Sequence, residues 1–315
     1  MRDAFGRAIT YLRISVTDLC NYRCRYCMGE DGVQKRGHAD VLSFEEIAQI
    51  AAAAASLGIE KLRLTGGEPL VRRGVADLCA MLRAIPGIRE LGLTTNGGLL
   101  PALAPALKAA GVDRLNVSLD TLDPEKFRSL TRSGTLDDVL CGLDAASDAG
   151  FTGTKLNVVL IGGFNDDEIP AFLRLAEKRD LTVRFIELMP IGCAAKWDAR
   201  AFLPADAVLK AAPDLIPIGG DGVARLYRVP GGRGTVGLIS PMSDRFCSAC
   251  NRIRLTADGR IKPCLHSAEE YPLRGLHGSE LTDALRKAIL SKPKEHCMDA
   301  AHPSGALRNM FEIGG

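Results

Sequence analysis

Ile9-Thr10-Tyr11-Leu12-Arg13-Ile14-Ser15-Val16 leads within a few residues into Cys20-Asn21-Tyr22-Arg23-Cys24-Arg25-Tyr26-Cys27, so an apolar strand pattern ends on three thiols spaced CxxxCxxC. Thiolates are soft ligands that select zinc or iron–sulfur clusters over harder cations. A structural zinc closes all four of its positions with protein ligands. Three cysteines can instead hold three corners of an iron–sulfur cube and leave one iron without a protein ligand. A zinc knuckle and a group of buried thiols are the alternatives on this stretch alone.

The strand that opens the chain begins a rhythm. Strands are expected at 9–16, 61–65, 90–94, 114–119, 154–161 and 182–188, with helices near 43–57, 74–84, 103–110, 136–149 and 166–177. Ser43 followed by Glu46 reads as a capping box, and Gly58 and Gly111 as helix stops. Strands alternating with helices of this length predict βαβ units, a parallel sheet and an α/β fold. Six units form a partial barrel or an open doubly wound sheet, and periodicity does not choose between them. After residue 203 the rhythm gives way to Pro204, Pro213, Pro217, Gly219-Gly220, Pro230 and Gly231-Gly232. A boundary is therefore expected there, dividing 1–203 from 204–315.

Parallel barrels build their sites at the carboxyl ends of the strands. Those ends carry the cysteine loop, Thr65-Gly66-Gly67-Glu68-Pro69, Thr94-Thr95-Asn96-Gly97, Asn116-Val117-Ser118-Leu119-Asp120 and Glu187-Leu188-Met189-Pro190. Paired glycines would let backbone groups approach a ligand closely. A second thiol group, Cys247-Ser248-Ala249-Cys250 with Cys264, flanks an alternating stretch that turns at Asp258-Gly259. That is a hairpin pattern able to return Cys264 to the CxxC. A zinc ribbon completed by His266 is the other reading. Cys79 and Cys141 fall in helical patterns and are expected as packing thiols, while Cys193 and Cys297 fall in loops.

The chain has 315 residues, with 46% hydrophobic and 25% charged residues, which suits one large α/β barrel or two ordinary domains. Lys plus Arg number 40 against 38 Asp plus Glu, too even a balance for a general nucleic-acid surface. No apolar run is long enough to span a membrane, and the first residues lack a signal-peptide pattern. Ten cysteines without a secretory signal read as metal ligands in a reducing cytoplasm.

The whole chain resembles one family, the GTP 3′,8-cyclases of molybdenum-cofactor biosynthesis (the MoaA family) within the radical S-adenosylmethionine superfamily. The resemblance is carried by Arg13-Ile14-Ser15-Val16-Thr17-Asp18 with the first triad, by residues 61–69, by Phe185-Ile186-Glu187-Leu188-Met189-Pro190-Ile191-Gly192, by Cys247–Cys264 with Asn251-Arg252-Ile253-Arg254, and by Gly314-Gly315. It implies a partial (βα)6 barrel over 1–203 and a C-terminal region over 204–315. Cys20, Cys24 and Cys27 would hold one 4Fe–4S cluster, and Cys247, Cys250 and Cys264 a second. Tyr26, Gly67, Ser118 and Met189 would cradle S-adenosylmethionine. Its reductive cleavage would give a 5′-deoxyadenosyl radical that takes hydrogen from C3′ of GTP, after which that carbon closes onto C8 of guanine. Arg13, Lys61, Arg63, Thr94, Lys155, Arg184, Arg252 and Arg254 would bind GTP. The Gly-Gly end would reach into the active site. A homodimer, an electron donor and the cyclic pyranopterin monophosphate synthase MoaC are the implied partners, with neither nucleic acid nor membrane among them. A radical enzyme acting on a peptide and a zinc-binding nucleic-acid module are the other classes.

Overall fold

A computed structural model describes residues 1–33, 37–298 and 303–314. Six βα units form its centre. The strands are β1 (Tyr11–Ser15), β2 (Lys61–Thr65), β3 (Glu90–Thr95), β4 (Arg114–Ser118), β5 (Thr154–Leu160) and β6 (Leu181–Glu187), all paired in parallel. The helices are α1 (Phe44–Ser56), α2 (Val75–Arg83), α3 (Leu100–Ala109), α4 (Pro124–Thr131), α5 (Leu136–Asp148) and α6 (Ile169–Lys178). Ser43 and Glu46 form the expected capping box on α1. The sequence reading missed α4, whose start is nevertheless legible: Asp123 caps it and Pro124 occupies the first turn.

One face of each strand is apolar. Leu12, Ile14, Leu62, Leu64, Leu91, Leu93, Leu156, Val158, Val183 and Phe185 are buried in a single core with Ile47, Ile50, Leu78, Leu82, Leu107, Val139 and Phe172 of the helices. The alternate positions face the other way, because side chains switch sides at each strand residue. They are Tyr11 and Arg13, Lys61 and Arg63, Glu90 and Gly92, Asn116 and Ser118, Lys155 and Asn157, Arg184 and Ile186. All of these but Gly92 line the chambers of the concave side.

The region after 203 does not stand apart from this sheet. A short helix α7 (Ala207–Ala211) leads to a hairpin of β7 (Ile216–Asp221) and β8 (Ala224–Arg228), and β9 (Thr235–Ile239) then pairs in parallel with β6. At the opposite edge β10 (Arg252–Leu255) pairs in parallel with β1, followed by antiparallel β11 (Arg260–Lys262) and β12 (Tyr271–Pro272). The order is β12-β11-β10-β1-β2-β3-β4-β5-β6-β9-β8-β7, an open sheet curled far enough for residues near both ends to line one cavity. Helix α8 (Gly278–Leu290) packs on α1, and α9 (Met310–Ile313) closes the described chain.

Glu187, fully buried at the end of β6, ties these additions down. Its carboxylate accepts from the backbone N–H of Ala205 at 3.0 Å and of Met242 and Ser243 at 2.9 Å each. Glu187→Ala strands these donors in a buried setting. It should cost about 3 kcal/mol, read as a lower urea midpoint at unchanged slope; an unchanged midpoint would remove Glu187 from this role.

Candidate active site

Two chambers open on the concave side. The first is lined by Cys20, Cys24, Cys27, Tyr26, Gly67, Thr94 and Ser118. The second is lined by Cys247, Cys250 and Cys264 and by Arg13, Lys61, Arg63, Lys155, Arg184, Arg252 and Arg254. Asn157, Ile186, Met189 and Met310 line both and so form the wall between them. Thr94, expected with the GTP contacts, lines the first chamber, two residues nearer the carboxyl end of β3 than Gly92.

The cysteine loop is held by the glycine-rich turn after β2. The N–H of Gly67 donates to Thr17 O and that of Glu68 to Leu19 O, both at 2.8 Å. A Cβ on Gly67 would stand 2.5 Å from Leu19 O and 2.6 Å from Asp18 O. The paired glycines thus admit the backbone of the cysteine loop itself, besides facing the chamber. Glu68, buried under the turn, accepts from Leu70 N (2.9 Å), Thr95 Oγ1 (2.8 Å) and Asn96 N (2.6 Å). Tyr26 donates to Asp120 Oδ2 at 2.8 Å, and the other oxygen of Asp120 takes the N–H of Val159 at 2.8 Å. The loop is thereby fastened to the ends of β2, β3, β4 and β5.

All ten cysteines are free thiols. Among the described residues no three His, Cys, Asp or Glu side chains converge on one metal-ion position. Burial, with Tyr22 and Asn96 opposing it, pushes Cys20 up to about 11. Burial and the neighbouring Cys20 and Cys193 push Cys27 up to about 12, and burial with Cys27 and Asp120 raises Cys24 well above the usual thiol range. Three crowded thiols disfavour the thiolate until a cationic centre sits among them, which fits an iron–sulfur cluster. At Cys250 burial is outweighed by Arg252 and Lys292, which bring the thiol down to about 7. His266, desolvated and facing His296 and Arg254, falls to about 3 and stays neutral at physiological pH. Cys79 is buried as expected, whereas Cys141, expected as a packing thiol, is exposed on α5. Cys193 lies in a short helical turn at 192–196, and Cys297 is exposed.

The cations are built into the sheet. Arg13 sits in register with Arg63 on one side and Arg254 on the other. Burial and the nearby Arg63 and Arg252 bring Arg13 down to about 10, despite Tyr11. Two glycines on neighbouring strands make room for arginine side chains. Gly92 is opposite Arg63, where a Cβ would lie 2.7 Å from Nη2, and Gly237 is opposite Arg184, where it would lie 3.1 Å from Cγ. Several buried polar atoms of the lining have no hydrogen-bond partner among the described residues: Asn116 Oδ1, Asn157 Oδ1, Arg184 Nε and, in the first chamber, Thr94 Oγ1. Buried polar groups are normally satisfied, so these await a ligand or water. Asn116 was named from sequence only as part of a strand-end stretch and Asn157 not at all; the signal was there as the polar positions of an alternating strand.

The chain's end enters from the side. Arg308 grips Glu270 at 2.7 Å and Asp258 at 2.8 Å. Asn309 and Glu312 cap α9, and Arg254 Nη1 donates to the carbonyls of Ile313 and Gly314. Gly314 has φ +76° and packs against Thr65, where any Cβ would collide. Gly315 lies outside the described residues.

Residues 14–176 match the Radical SAM superfamily and residues 181–298 match Molybdenum Cofactor Synthesis C. The GTP 3′,8-cyclase of Moorella thermoacetica is 50% identical over 329 residues, and that of Alkaliphilus oremlandii 47% over 320, each covering 100% of both chains. The chain belongs to the GTP 3′,8-cyclase family. The fold is also similar to two distant solved structures. Streptococcus suis SuiB bound to S-adenosylmethionine has a TM-score of 0.61 at 13% identity, covering 88% of this chain and 63% of that one. Native anSMEcpe with bound AdoMet has a TM-score of 0.62 at 16% identity, covering 90% and 81%. Within the described residues, no helix is long and apolar enough to cross a membrane.

For a member of this family, the placement of Gly314 makes a sharp expectation. Gly314→Ala should lower turnover about tenfold or more, since an L side chain is disfavoured at that φ and meets Thr65. Iron content and the melting midpoint should stay at wild-type values. Full turnover in the variant would show that the tail's fit is immaterial.

Proposed function

We propose that the chain is a GTP 3′,8-cyclase that forms (8S)-3′,8-cyclo-7,8-dihydroguanosine 5′-triphosphate, the first step of molybdenum-cofactor biosynthesis. The observation that carries this reading is the pair of thiol triads opening into adjoining chambers, with a row of cations beside the shared wall, of which Arg63, Arg184 and Arg254 are buried. Cys20, Cys24 and Cys27 would hold one 4Fe–4S cluster, and Tyr26, Gly67, Ser118, Thr94 and Met189 would seat S-adenosylmethionine beside it. When bound, these supply one-electron cleavage of S-adenosylmethionine to a carbon radical able to take H3′ from the substrate.

The protein's own residues do the positioning. Arg13, Lys61, Arg63, Lys155, Arg184, Arg252 and Arg254 would clamp the triphosphate, because forked guanidinium donors in a dry site suit phosphate oxygens. Cys247, Cys250 and Cys264 would hold the second cluster at the base end, with Asn116 and Asn157 offering unfilled acceptors to the sugar. The wall of Ile186, Met189 and Met310 would bring C3′ toward the first chamber while keeping bulk water from the radical. Residues 1–203 would then generate the radical and 204–315 complete the substrate site. A one-electron donor, a homodimer in the cytoplasm, and the cyclic pyranopterin monophosphate synthase as consumer of the product belong to the same reading. A peptide substrate would leave the cation row without a use.

The test is incubation of anaerobically reconstituted protein with dithionite, S-adenosylmethionine and each nucleoside triphosphate in turn. Formation of 5′-deoxyadenosine with GTP alone is the expected result; release with every nucleotide, or with none, would defeat the reading. Reconstituted protein should carry about eight irons per chain and Cys247→Ala about four, by colorimetric assay. Arg252→Ala should weaken GTP binding about tenfold or more while leaving S-adenosylmethionine affinity within twofold, measured by equilibrium dialysis.

A further inference from the structure

Among the described residues, eight cationic side chains line the second chamber, and two carboxylates, Glu90 and Asp221, stand among them. The two carboxylates are mounted differently. Glu90 is part of β3, in register with Lys61, and pairs with Lys61 at 3.3 Å and Arg63 at 4.0 Å. It is fixed in the sheet between its neighbours. Asp221 arrives on the tip of the β7–β8 hairpin, where Asp221 pairs with Ala224 around a two-residue turn with Gly222 at φ +65°. Glycine at that turn position is what a tight hairpin requires.

Asp221 Oδ2 receives both Lys155 Nζ and Arg184 Nη2, each at 2.5 Å. The two cations are largely buried, at 21% and 10% exposure, while the Asp221 side chain is 46% exposed. Every residue of β7 is exposed, and β7 is the outermost strand of its edge. Such a strand gives up little buried surface when it moves. A movable carboxylate therefore occupies the donors of two built-in cations, while Arg184 Nε beside them has no partner among the described residues.

We propose that Asp221 is a removable stand-in for a phosphate group. It neutralises Lys155 and Arg184 while the chamber is empty and is expelled by the polyphosphate chain of the incoming nucleotide. This rests on the reading of the second chamber as a triphosphate site. It makes Asp221 a determinant of affinity for phosphorylated ligands: the ligand must displace one carboxylate and then tolerates it nearby. Isolated like charges held together in a binding site weaken association strongly.

The test uses reconstituted protein and three probes, GTP, inorganic tripolyphosphate and guanosine, titrated calorimetrically against wild type, Asp221→Asn, Lys155→Ala and the Lys155→Ala/Asp221→Asn double variant. Asp221→Asn should bind GTP and tripolyphosphate about tenfold tighter than wild type and guanosine equally well. The gain should shrink by more than half in the Lys155→Ala background, because the pair it relieves is gone. Equal or weaker tripolyphosphate binding by Asp221→Asn, or an equal change for guanosine, overturns the stand-in. A gain undiminished in the Lys155→Ala background overturns the pairing as its cause. Wild-type protein that binds guanosine but neither phosphorylated probe instead overturns the triphosphate reading, and the stand-in with it.

Discussion

A parallel sheet that buries its convex face under helices leaves its concave face to be filled, and here that face is filled with charge. Arg13, Arg63, Arg184 and Arg254 stand on neighbouring or facing strands in the interior of the fold. Charges of one sign in a low-dielectric setting repel each other and resent the loss of water. Everything near them answers this. Tyr11 accepts from Arg63, Glu90 and Asp221 pair with four of the cations, and the carbonyls of the tail sit on Arg254. A polyanion is the ligand that completes such a surface.

The apolar face makes this arrangement stable. The core shared by the strands and helices is continuous from Leu12 on β1 to Val236 and Leu238 on β9, so the polar interior is carried by a scaffold that does not depend on it. Two buried carboxylates then bind the active-site loops to that scaffold. Glu68 organises the turn on which the cysteine loop rests, and Glu187 holds the segments at 205 and 242–243 to the end of β6. Each accepts several N–H or O–H groups, the condition under which a buried carboxylate is stabilising rather than costly.

Much of this was open to a reader of the chain alone. The six βα units, the cap of α1, both thiol triads and the hairpin that returns Cys264 follow from spacing, because period, capping and ligand separation are local properties. Arg13, Arg63, Lys155 and Arg184 were visible as charges inside apolar strands, a placement that is costly unless something is bound. The missed residues are those whose role is defined by a partner far away in sequence. Gly92 and Gly237 look like ordinary strand interruptions until Arg63 and Arg184 are placed opposite them. Asn116 and Asn157 look like breaks in strand hydrophobicity until their neighbours leave them unpaired.

The sequence by itself determined which atoms the protein has for its chemistry: two groups of three thiols, a set of strand-borne cations and a βα rhythm to carry them. Only the tertiary structure decided that strands from the last third of the chain extend both edges of one sheet. It also decided that Thr94 faces the first chamber, and that Asp221, some 66 residues beyond Lys155, closes on it. The reason is that spacing and periodicity act over a few residues, whereas the curl of a sheet and the meeting of its ends depend on the packing of all its elements at once.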